Sequence, residues 1–151
     1  MQKNITLRIK KLTETAVVPQ YANPGDAGLD FTATSMRIEE KFIEYGTGLS
    51  IEIPDGFVGL LFNRSSVSNC SPNFFLRNAV GVIDSGYRGE IRFRFSRVSD
   101  SEIANNPHDI YSVGQRIGQL VIVEIPKVNI QLSDDLTDTV RGIGGYGSSG
   151  K

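Results

Sequence analysis

The sequence has very few of the residues that build disulfide frameworks and structural metal sites. Its 151 residues include one cysteine and one histidine. One cysteine excludes an internal disulfide framework, and the two residues together cannot supply the four ligands of a structural zinc site. Any divalent metal would need oxygen ligands, as magnesium does. Cys70 has no basic neighbour in the sequence to activate it and His108 lies in a polar loop, so we assign a role to neither.

The chain also lacks an excess of charge and a long apolar run. It has 16 Lys and Arg against 17 Asp and Glu, for a formal net charge of -1. Without a basic surface, stable binding to nucleic acid or to an anionic membrane is not expected. No apolar run approaches the length of a membrane span, and the first residues contain no apolar signal-peptide core. We therefore expect a soluble, cytoplasmic protein of one domain.

What the chain does contain is a series of short β patterns separated by turn residues. Residues 90–95 (EIRFRF) alternate strictly between polar and apolar side chains, as in a strand with one buried face. Residues 57–62 and 117–125 have the composition of buried strands, and residues 128–132 (VNIQL) predict one more. No segment keeps a helical period over three turns. The pattern predicts an all-β barrel or sandwich.

Residues 77–90 (RNAVGVIDSGYRGE) contain the most informative turn in the chain. The Ser-Gly pair at residues 85–86 separates two strand-like segments, which predicts a β-hairpin with a two-residue loop. Gly86 would supply the positive φ that such loops favour. In this geometry Asp84 and Tyr87 form a directly opposed cross-strand pair, with Cβ atoms about 5 Å apart.

The same hairpin would leave a gap beside that pair. Val82 would face Gly89, which has no side chain. A carboxylate, an aromatic ring and a gap on one rigid hairpin are suited to a small-molecule site. The alternative is an ordinary turn, in which the aspartate caps its own backbone and the tyrosine covers a sheet edge.

A second polar segment, Arg64-Ser65-Ser66, follows the strand at residues 57–62. An arginine guanidinium can donate hydrogen bonds to two phosphate oxygens at once, and a serine hydroxyl can donate from a short side chain. This set of residues therefore suits phosphate binding. The alternative is a polar loop or a helix N-cap.

Two polar residues interrupt strand patterns. Asp30 lies between two apolar residues and must point away from them, toward solvent or a site. Gln119 lies within an apolar strand, so it either pairs with a partner or faces a ligand.

The last residues, 141–151, form a Gly-rich segment with one arginine, one aromatic residue and several hydroxyls. Its composition is typical of a disordered tail. Such an arm could also fold over a nucleotide, with Tyr146 stacking on the base and with Arg141, Ser148 and Ser149 contacting phosphate.

Taken in order, five segments resemble the five ordered motifs of the homotrimeric dUTP diphosphatases (dUTPases). The third and fifth patterns, GVID-x-x-YRG and RG-x-GG-aromatic-GS-x-G, are highly specific together. The resemblance spans nearly the whole chain, at residues 27–30, 64–66, 78–89, 114–119 and 141–150.

The resemblance implies a fold and a reaction. It implies a jelly-roll-like β-barrel in residues 1–136 and a flexible arm in residues 137–151 that closes over a neighbouring subunit's active site. It implies a homotrimer with three shared sites that hydrolyses dUTP to dUMP and pyrophosphate. That reaction limits uracil in DNA and supplies dUMP for dTMP synthesis.

The resemblance also implies a role for each matching residue. Asp84 would position and deprotonate the water that attacks the α-phosphorus, which an ionised aspartate can do at neutral pH. Tyr87 would pack on the deoxyribose and exclude a 2′-hydroxyl, and Asp30 would hold a triphosphate-bound Mg²⁺ through water. Uracil would be bound by Asn78 and by the backbone around Val82, Ile83 and Arg92. Phosphate contacts would come from Arg64, Ser65, Ser66 and Gln119, and the closing arm would contribute Arg141, Tyr146, Ser148 and Ser149.

The segment between Asn78 and Asp84 must bend if both residues are to contact one nucleoside. Asn78 and Asp84 would lie about 20 Å apart on an extended strand, too far for one nucleoside. We expect the bend at Gly81.

The chain departs from the family pattern in three places. Ser66 replaces the glycine that usually follows Arg-Ser, Tyr146 replaces a phenylalanine, and the polar stretch at residues 97–112 is longer than expected. The nearest alternative is a dCTP deaminase-like enzyme, which carries a catalytic glutamate on the strand after the hairpin. This chain has Arg-Phe-Arg there, at residues 92–94. A catalytically weak, dUTP-binding regulatory trimer is the other alternative.

Overall fold

The computed structural model describes residues 4–145, and in that part of the chain eight β-strands form two sheets. Helix α1 (Asp100–Asn105) and two 3-10 helices (Ser65–Asn69 and Pro107–Asp109) lie in the connections. None of the helices in this part is long and apolar enough to cross a bilayer. The strands are β1 (Arg8–Lys11), β2 (Leu29–Thr32), β3 (Ser35–Ile38), β4 (Phe42–Glu52), β5 (Phe57–Asn63), β6 (Gly81–Ile83), β7 (Glu90–Ser96) and β8 (Arg116–Glu124).

Both sheets are antiparallel. In the first, β1 and β3 share one edge of the long strand β4, and β7 pairs with its other edge. The second has the order β2-β8-β5-β6. Two four-stranded sheets of this kind form a jelly-roll-like sandwich. The all-β prediction is confirmed.

Aromatic side chains join the two sheets. Along β7 every second side chain is buried, as the alternation predicted. Phe93 from β7 and Phe31 from β2 have ring centroids 6.1 Å apart. Gly118 in β8 permits this packing, because a Cβ there would overlap the Phe93 ring.

The segment after β8 does not join either sheet. Residues 126–140 contain no strand or helix, so the strand predicted at residues 128–132 is wrong for the single chain. Its alternating apolar side chains are almost fully exposed, with Val128 at 72%, Ile130 at 93% and Leu132 at 95%. A period-two pattern indicates a strand only where an unpaired sheet edge is within reach, and this segment pairs with none in its own chain.

Candidate active site

A β-turn places Asp84 and Tyr87 where the chain crosses from one sheet to the other. The backbone N–H of Tyr87 donates to the carbonyl of Asp84 over 3.1 Å, as expected for a turn at residues 85–86. The predicted hairpin is wrong, because β6 pairs with β5 while β7 pairs with β4. Gly86 has no positive φ. A turn whose flanking strands diverge need not match the twist of a hairpin.

Tyr87 fills the gap that the hairpin was expected to leave. Its ring lies over Gly89, where a Cβ would overlap it. The Tyr87 hydroxyl donates to the backbone carbonyl of Glu90 over 3.1 Å, which fixes the ring. Val82 does not face Gly89: it pairs with Leu60, and its side chain is 61% exposed.

The fixed Tyr87 ring forms one wall of a surface cavity of about 650 Å³. Its size and its mixture of apolar walls with a few polar groups are typical of a small-molecule pocket. The cavity brings together four residues that the sequence assigned to the nucleoside: Asn78, Ile83, Tyr87 and Arg92. Leu61 and Leu76 supply apolar surface.

Asn78 reaches this cavity because the chain reverses at Ala79, and not at Gly81 as expected. Ala79 adopts a left-handed φ of 55°, and its N–H donates to the carbonyl of Leu76 over 3.1 Å. Gly81 begins β6 without a positive φ. Its missing side chain allows close approach instead, since a Cβ there would lie 3.0 Å from Leu61 and 3.3 Å from the amide nitrogen of Asn78.

Asp84 is exposed at the turn and does not line the 650 Å³ cavity. The neighbouring Ser85 donates from its hydroxyl to Asp55 over 3.2 Å, which ties this turn to the one between β4 and β5. The Asp84 carboxylate is therefore open to water on a braced turn.

A second group of polar side chains lies together on the sheet formed by β2, β8, β5 and β6. Asp30 and Gln119 are cross-strand partners in β2 and β8, and Arg64 directly follows β5. Arg64 Nε donates to Asp30 Oδ1 over 2.9 Å. The Asp30 side chain is only 11% exposed, so it points into this cluster rather than to solvent.

Arg116 completes the cluster, and the sequence reasoning did not single it out. Its Nη1 donates to the second carboxylate oxygen of Asp30 over 2.9 Å. The signal was available, because Arg116 lies within the segment 114–119 that carries the family resemblance.

Gln119, Ser65 and Ser66 lie near this cluster, but each has a different environment. The Gln119 amide donates to the backbone carbonyl of Asn63 over 3.1 Å, so it pairs within the chain. Ser65 is exposed and begins a 3-10 helix. The residue at the N-cap is Arg64, with no capping side-chain hydrogen bond, so the N-cap alternative for the serines is wrong. Ser66 Oγ lies 3.1 Å from the hydroxyl of Tyr111.

Glu44 is a buried carboxylate beside the first cavity that the sequence reasoning also missed. It is 2% exposed and accepts hydrogen bonds from Arg92 (2.8 Å), Arg94 (2.6 Å) and Arg37 (3.1 Å). Burial raises the pKa of Glu44, but the hydrogen bonds and charges of Arg94 and Arg92 outweigh it and hold the pKa below its ordinary value. Glu44 thus fixes Arg92 at the cavity wall.

The residues present suit a magnesium ion only through water. Among the described residues, no group of three or more His, Cys, Asp or Glu side chains could hold a metal directly. A carboxylate has about four acceptor positions. The two arginines use two of those of Asp30, which leaves acceptor positions for metal-bound water.

The nucleoside residues and the phosphate residues line different cavities of the single chain. Asp30, Arg64, Ser65 and Gln119 surround a cavity of about 400 Å³, separate from the one beside Tyr87. Arg141 is exposed, and its Nε donates to the carbonyl of Gly144 over 2.9 Å. Tyr146, Ser148 and Ser149 lie outside the described residues.

Comparisons with known proteins agree on one family. The dUTPase family model matches residues 14–150. The deoxyuridine 5'-triphosphate nucleotidohydrolase of Rhodococcus erythropolis is 38% identical over 152 residues, covering 99% of this chain and 89% of the relative. The enzyme of the same name from Clostridium tetani is 38% identical, with 97% of both chains covered.

Solved structures show the same similarity. A mutant dUTPase of Staphylococcus bacteriophage 80alpha, solved with dUpNHpp, superposes with a TM-score of 0.78 at 27% identity. The match covers 98% of this chain and 100% of that one. A mutant dUTPase from phage phi11 of S. aureus, whose structure describes the coordination of a structural Mg(II) ion, superposes with a TM-score of 0.70 at 25% identity. That match covers 87% of this chain and 98% of the phage protein.

Proposed function

Because this chain belongs to the dUTPase family, we propose that it hydrolyses dUTP to dUMP and pyrophosphate. The observation that carries the proposal is the turn beside the 650 Å³ cavity. It presents an exposed carboxylate, Asp84, next to a fixed aromatic ring, Tyr87, in a chain that matches the family over residues 14–150.

In the proposed reaction Asp84 is the general base. A water oxygen bonds to the α-phosphorus, the bond from that phosphorus to the bridging oxygen breaks, and pyrophosphate leaves. The proton of the water passes to the Asp84 carboxylate. General-base assistance of this kind contributes about 10²–10⁴-fold to the rate.

The cavity beside the turn is proposed to select the nucleoside. Asn78 and Ile83 line it next to Tyr87, where a uracil and a deoxyribose would lie side by side. Arg92 lines the same wall, and Val82 would contribute backbone groups only, since its side chain points to solvent. Tyr87 would exclude a 2′-hydroxyl because its ring is held over Gly89 and cannot retreat.

The second cluster is proposed to bind the triphosphate. Arg64, Ser65, Ser66 and Gln119 supply a fixed cation and short polar donors. Asp30 would hold Mg²⁺ through water, since its remaining acceptor positions suit that role. When bound, the ion would neutralise charge on the phosphate oxygens.

We further propose a homotrimer with active sites shared between subunits. Two features of the single chain support it. The nucleoside and phosphate residues lie in different cavities, so a neighbouring subunit would have to bring one group to the other. The exposed apolar residues of the segment 128–136 also need a partner, because a stable surface rarely exposes such a run. Residues 1–136 would then form the barrel and 137–151 an arm, with Arg141, Tyr146, Ser148 and Ser149 closing on the neighbour's nucleotide.

Pyrophosphate release tests the proposal. The wild type, Asp84→Asn and the control Asp55→Asn would be assayed with Mg²⁺ on dUTP, dCTP, dTTP and UTP. We expect turnover of dUTP alone, lost by 10²-fold or more in Asp84→Asn. Turnover should be retained in Asp55→Asn, which removes an exposed charge on the adjacent turn but keeps an oxygen that can accept from Ser85. Ammonia release from dCTP would instead support the deaminase alternative. Tight dUTP binding without turnover would support a regulatory trimer.

A further inference from the structure

Tyr111 is the next-to-last residue of the long polar stretch at residues 97–112, and its side chain is packed in the core. It is 5% exposed. Its ring packs edge-on against Phe74 and Phe95, with centroids 5.6 and 5.7 Å apart. Its backbone carbonyl accepts a hydrogen bond of 2.7 Å from the buried hydroxyl of Tyr45. The position of the Tyr111 hydroxyl is therefore set by the core.

That hydroxyl connects the core to the phosphate cluster. It lies 3.1 Å from Ser66 Oγ, which in turn lies 3.4 Å from Nη1 of Arg64. On its other side Arg64 donates from Nε to Asp30 over 2.9 Å. The guanidinium is thus held from two directions, by a carboxylate and by a serine fixed to the core.

Arg64 has N–H donors that neither Asp30 nor Ser66 accepts, and these are available to bind an anion. A guanidinium has five N–H donors, and the contacts to Asp30 and Ser66 involve two of its three nitrogens. Burial raises the pKa of the Tyr111 hydroxyl, so it keeps its proton and can donate to Ser66. If Ser66 accepts from both Tyr111 and Arg64, its own hydrogen is free for an anionic oxygen.

We propose that Tyr111 is a positioning residue which, through Ser66, orients the Arg64 guanidinium toward the triphosphate. The inference rests on the proposed function and adds to it a residue from the polar stretch. It also gives a structural reason for the departure at Ser66, since a glycine at this position could not connect Arg64 to Tyr111.

Binding measurements without turnover test this role. The affinities of the wild type, Tyr111→Phe, Ser66→Ala and the double variant for dUpNHpp and for deoxyuridine would be measured by calorimetry. Tyr111→Phe should weaken dUpNHpp binding about five- to tenfold, the effect of one lost hydrogen bond. Ser66→Ala should weaken it further, because it also removes the serine's own donor to the phosphate. Deoxyuridine binding should stay within about twofold. The double variant should lose little more than Ser66→Ala alone, because without Ser66 the Tyr111 hydroxyl no longer connects to Arg64.

Tyr45→Phe is the matched control. It removes the hydrogen bond to the Tyr111 carbonyl and leaves the Tyr111 hydroxyl in place. We expect a lower Tm with dUpNHpp affinity kept within about twofold of wild type. An equal loss of affinity in Tyr45→Phe and Tyr111→Phe would mean that Tyr111 acts through stability alone, and would overturn the inference.

Wild-type turnover separates this inference from the proposed function. If the wild type hydrolyses dUTP and Tyr111→Phe binds dUpNHpp as tightly as wild type, the positioning role is wrong and the function stands. If the wild type neither hydrolyses dUTP nor binds dUpNHpp, both are wrong.

Discussion

Arg64 and Asp30 form a hydrogen-bonded ion pair, in which Nε of the arginine donates to Oδ1 of the aspartate over 2.9 Å. The family resemblance assigns these residues to phosphate and to magnesium respectively. Arg116 donates to the other oxygen of Asp30 over 2.9 Å. The Asp30 carboxylate therefore orients two arginine side chains even without a bound metal ion.

Asp30→Asn should accordingly affect both stability and the magnesium requirement. Loss of the charge weakens two hydrogen bonds from arginine, which should lower the free energy of unfolding by about 1–3 kcal/mol. It should also raise the Mg²⁺ concentration needed for half-maximal turnover. Urea unfolding and a magnesium titration of dUTP turnover measure the two effects. Asp55→Asn should change neither, and an unchanged magnesium requirement in Asp30→Asn would remove Asp30 from the metal's outer shell.

Gly89→Ala should weaken the discrimination between dUTP and UTP. A Cβ at Gly89 overlaps the Tyr87 ring and must displace it. The ratio of kcat/KM for dUTP to that for UTP should fall about 10- to 100-fold, the range in which small steric differences discriminate. Gly86→Ala is the control, since a Cβ there meets no atom within 4 Å and its φ is not positive. An unchanged ratio in Gly89→Ala would mean that another residue excludes the 2′-hydroxyl.

The double variant Ile130→Asp, Leu132→Asp should break the proposed trimer. Both side chains are almost fully exposed in the single chain, so their charge costs the monomer nothing but would be buried in an assembly. Light scattering after size exclusion should show the mass of one subunit, with little dUTP turnover. Gln131→Asp adds a charge at the polar residue between the two apolar ones and should leave the trimer intact. A trimeric double variant would contradict the role given to this segment.

Glu44→Gln should destabilise the protein in a pH-dependent way. The pKa of Glu44 is lowered in the folded state, whereas an unfolded glutamate has a pKa of about 4.3. Its contribution is therefore fully present above about pH 4.3 and is lost as the pH falls through the lower folded value. At pH 7 we expect a loss of about 1–3 kcal/mol, below the value for a fully buried pair because the arginines are partly exposed.

Urea unfolding from pH 7 to pH 3 would measure this effect. The difference between wild type and Glu44→Gln should shrink as the pH falls below about 4.3. Glu52→Gln serves as the control, because its ion pair with Arg8 is long, at 3.4 Å, and exposed. It should cost less than about 0.5 kcal/mol. A pH-independent difference for Glu44→Gln would mean that packing, and not charge, is responsible.

Local patterns were sufficient for strand β7 and for the turn at residues 85–86. The alternation in residues 90–95 predicted the buried face of β7, and the Ser-Gly pair predicted the turn that joins Asp84 to Tyr87. These features depend on side-chain periodicity and turn chemistry within a few residues. The order of the motifs along the chain was sufficient for the family.

The pairing of strands was not available from the same patterns. The hairpin prediction paired neighbours in sequence, yet β7 pairs with β4 and β6 with β5. The chain bends at Ala79, which has a left-handed φ, and no glycine at that position indicated the bend in the sequence. Asp30 and Arg116 lie 86 residues apart in sequence, and Arg92 and Glu44 lie 48 apart. Tyr111 reaches Ser66 only through the packing of an aromatic core.

The sequence by itself thus determined the β class, the turn that carries Asp84 and the family, because each is encoded in local patterns or in their order. The tertiary structure alone decided which groups meet: Arg116 at Asp30, Arg92 at Glu44 and Ser66 at Tyr111. Such contacts depend on sheet register and on the packing of side chains from distant segments, which periodicity within one segment does not specify.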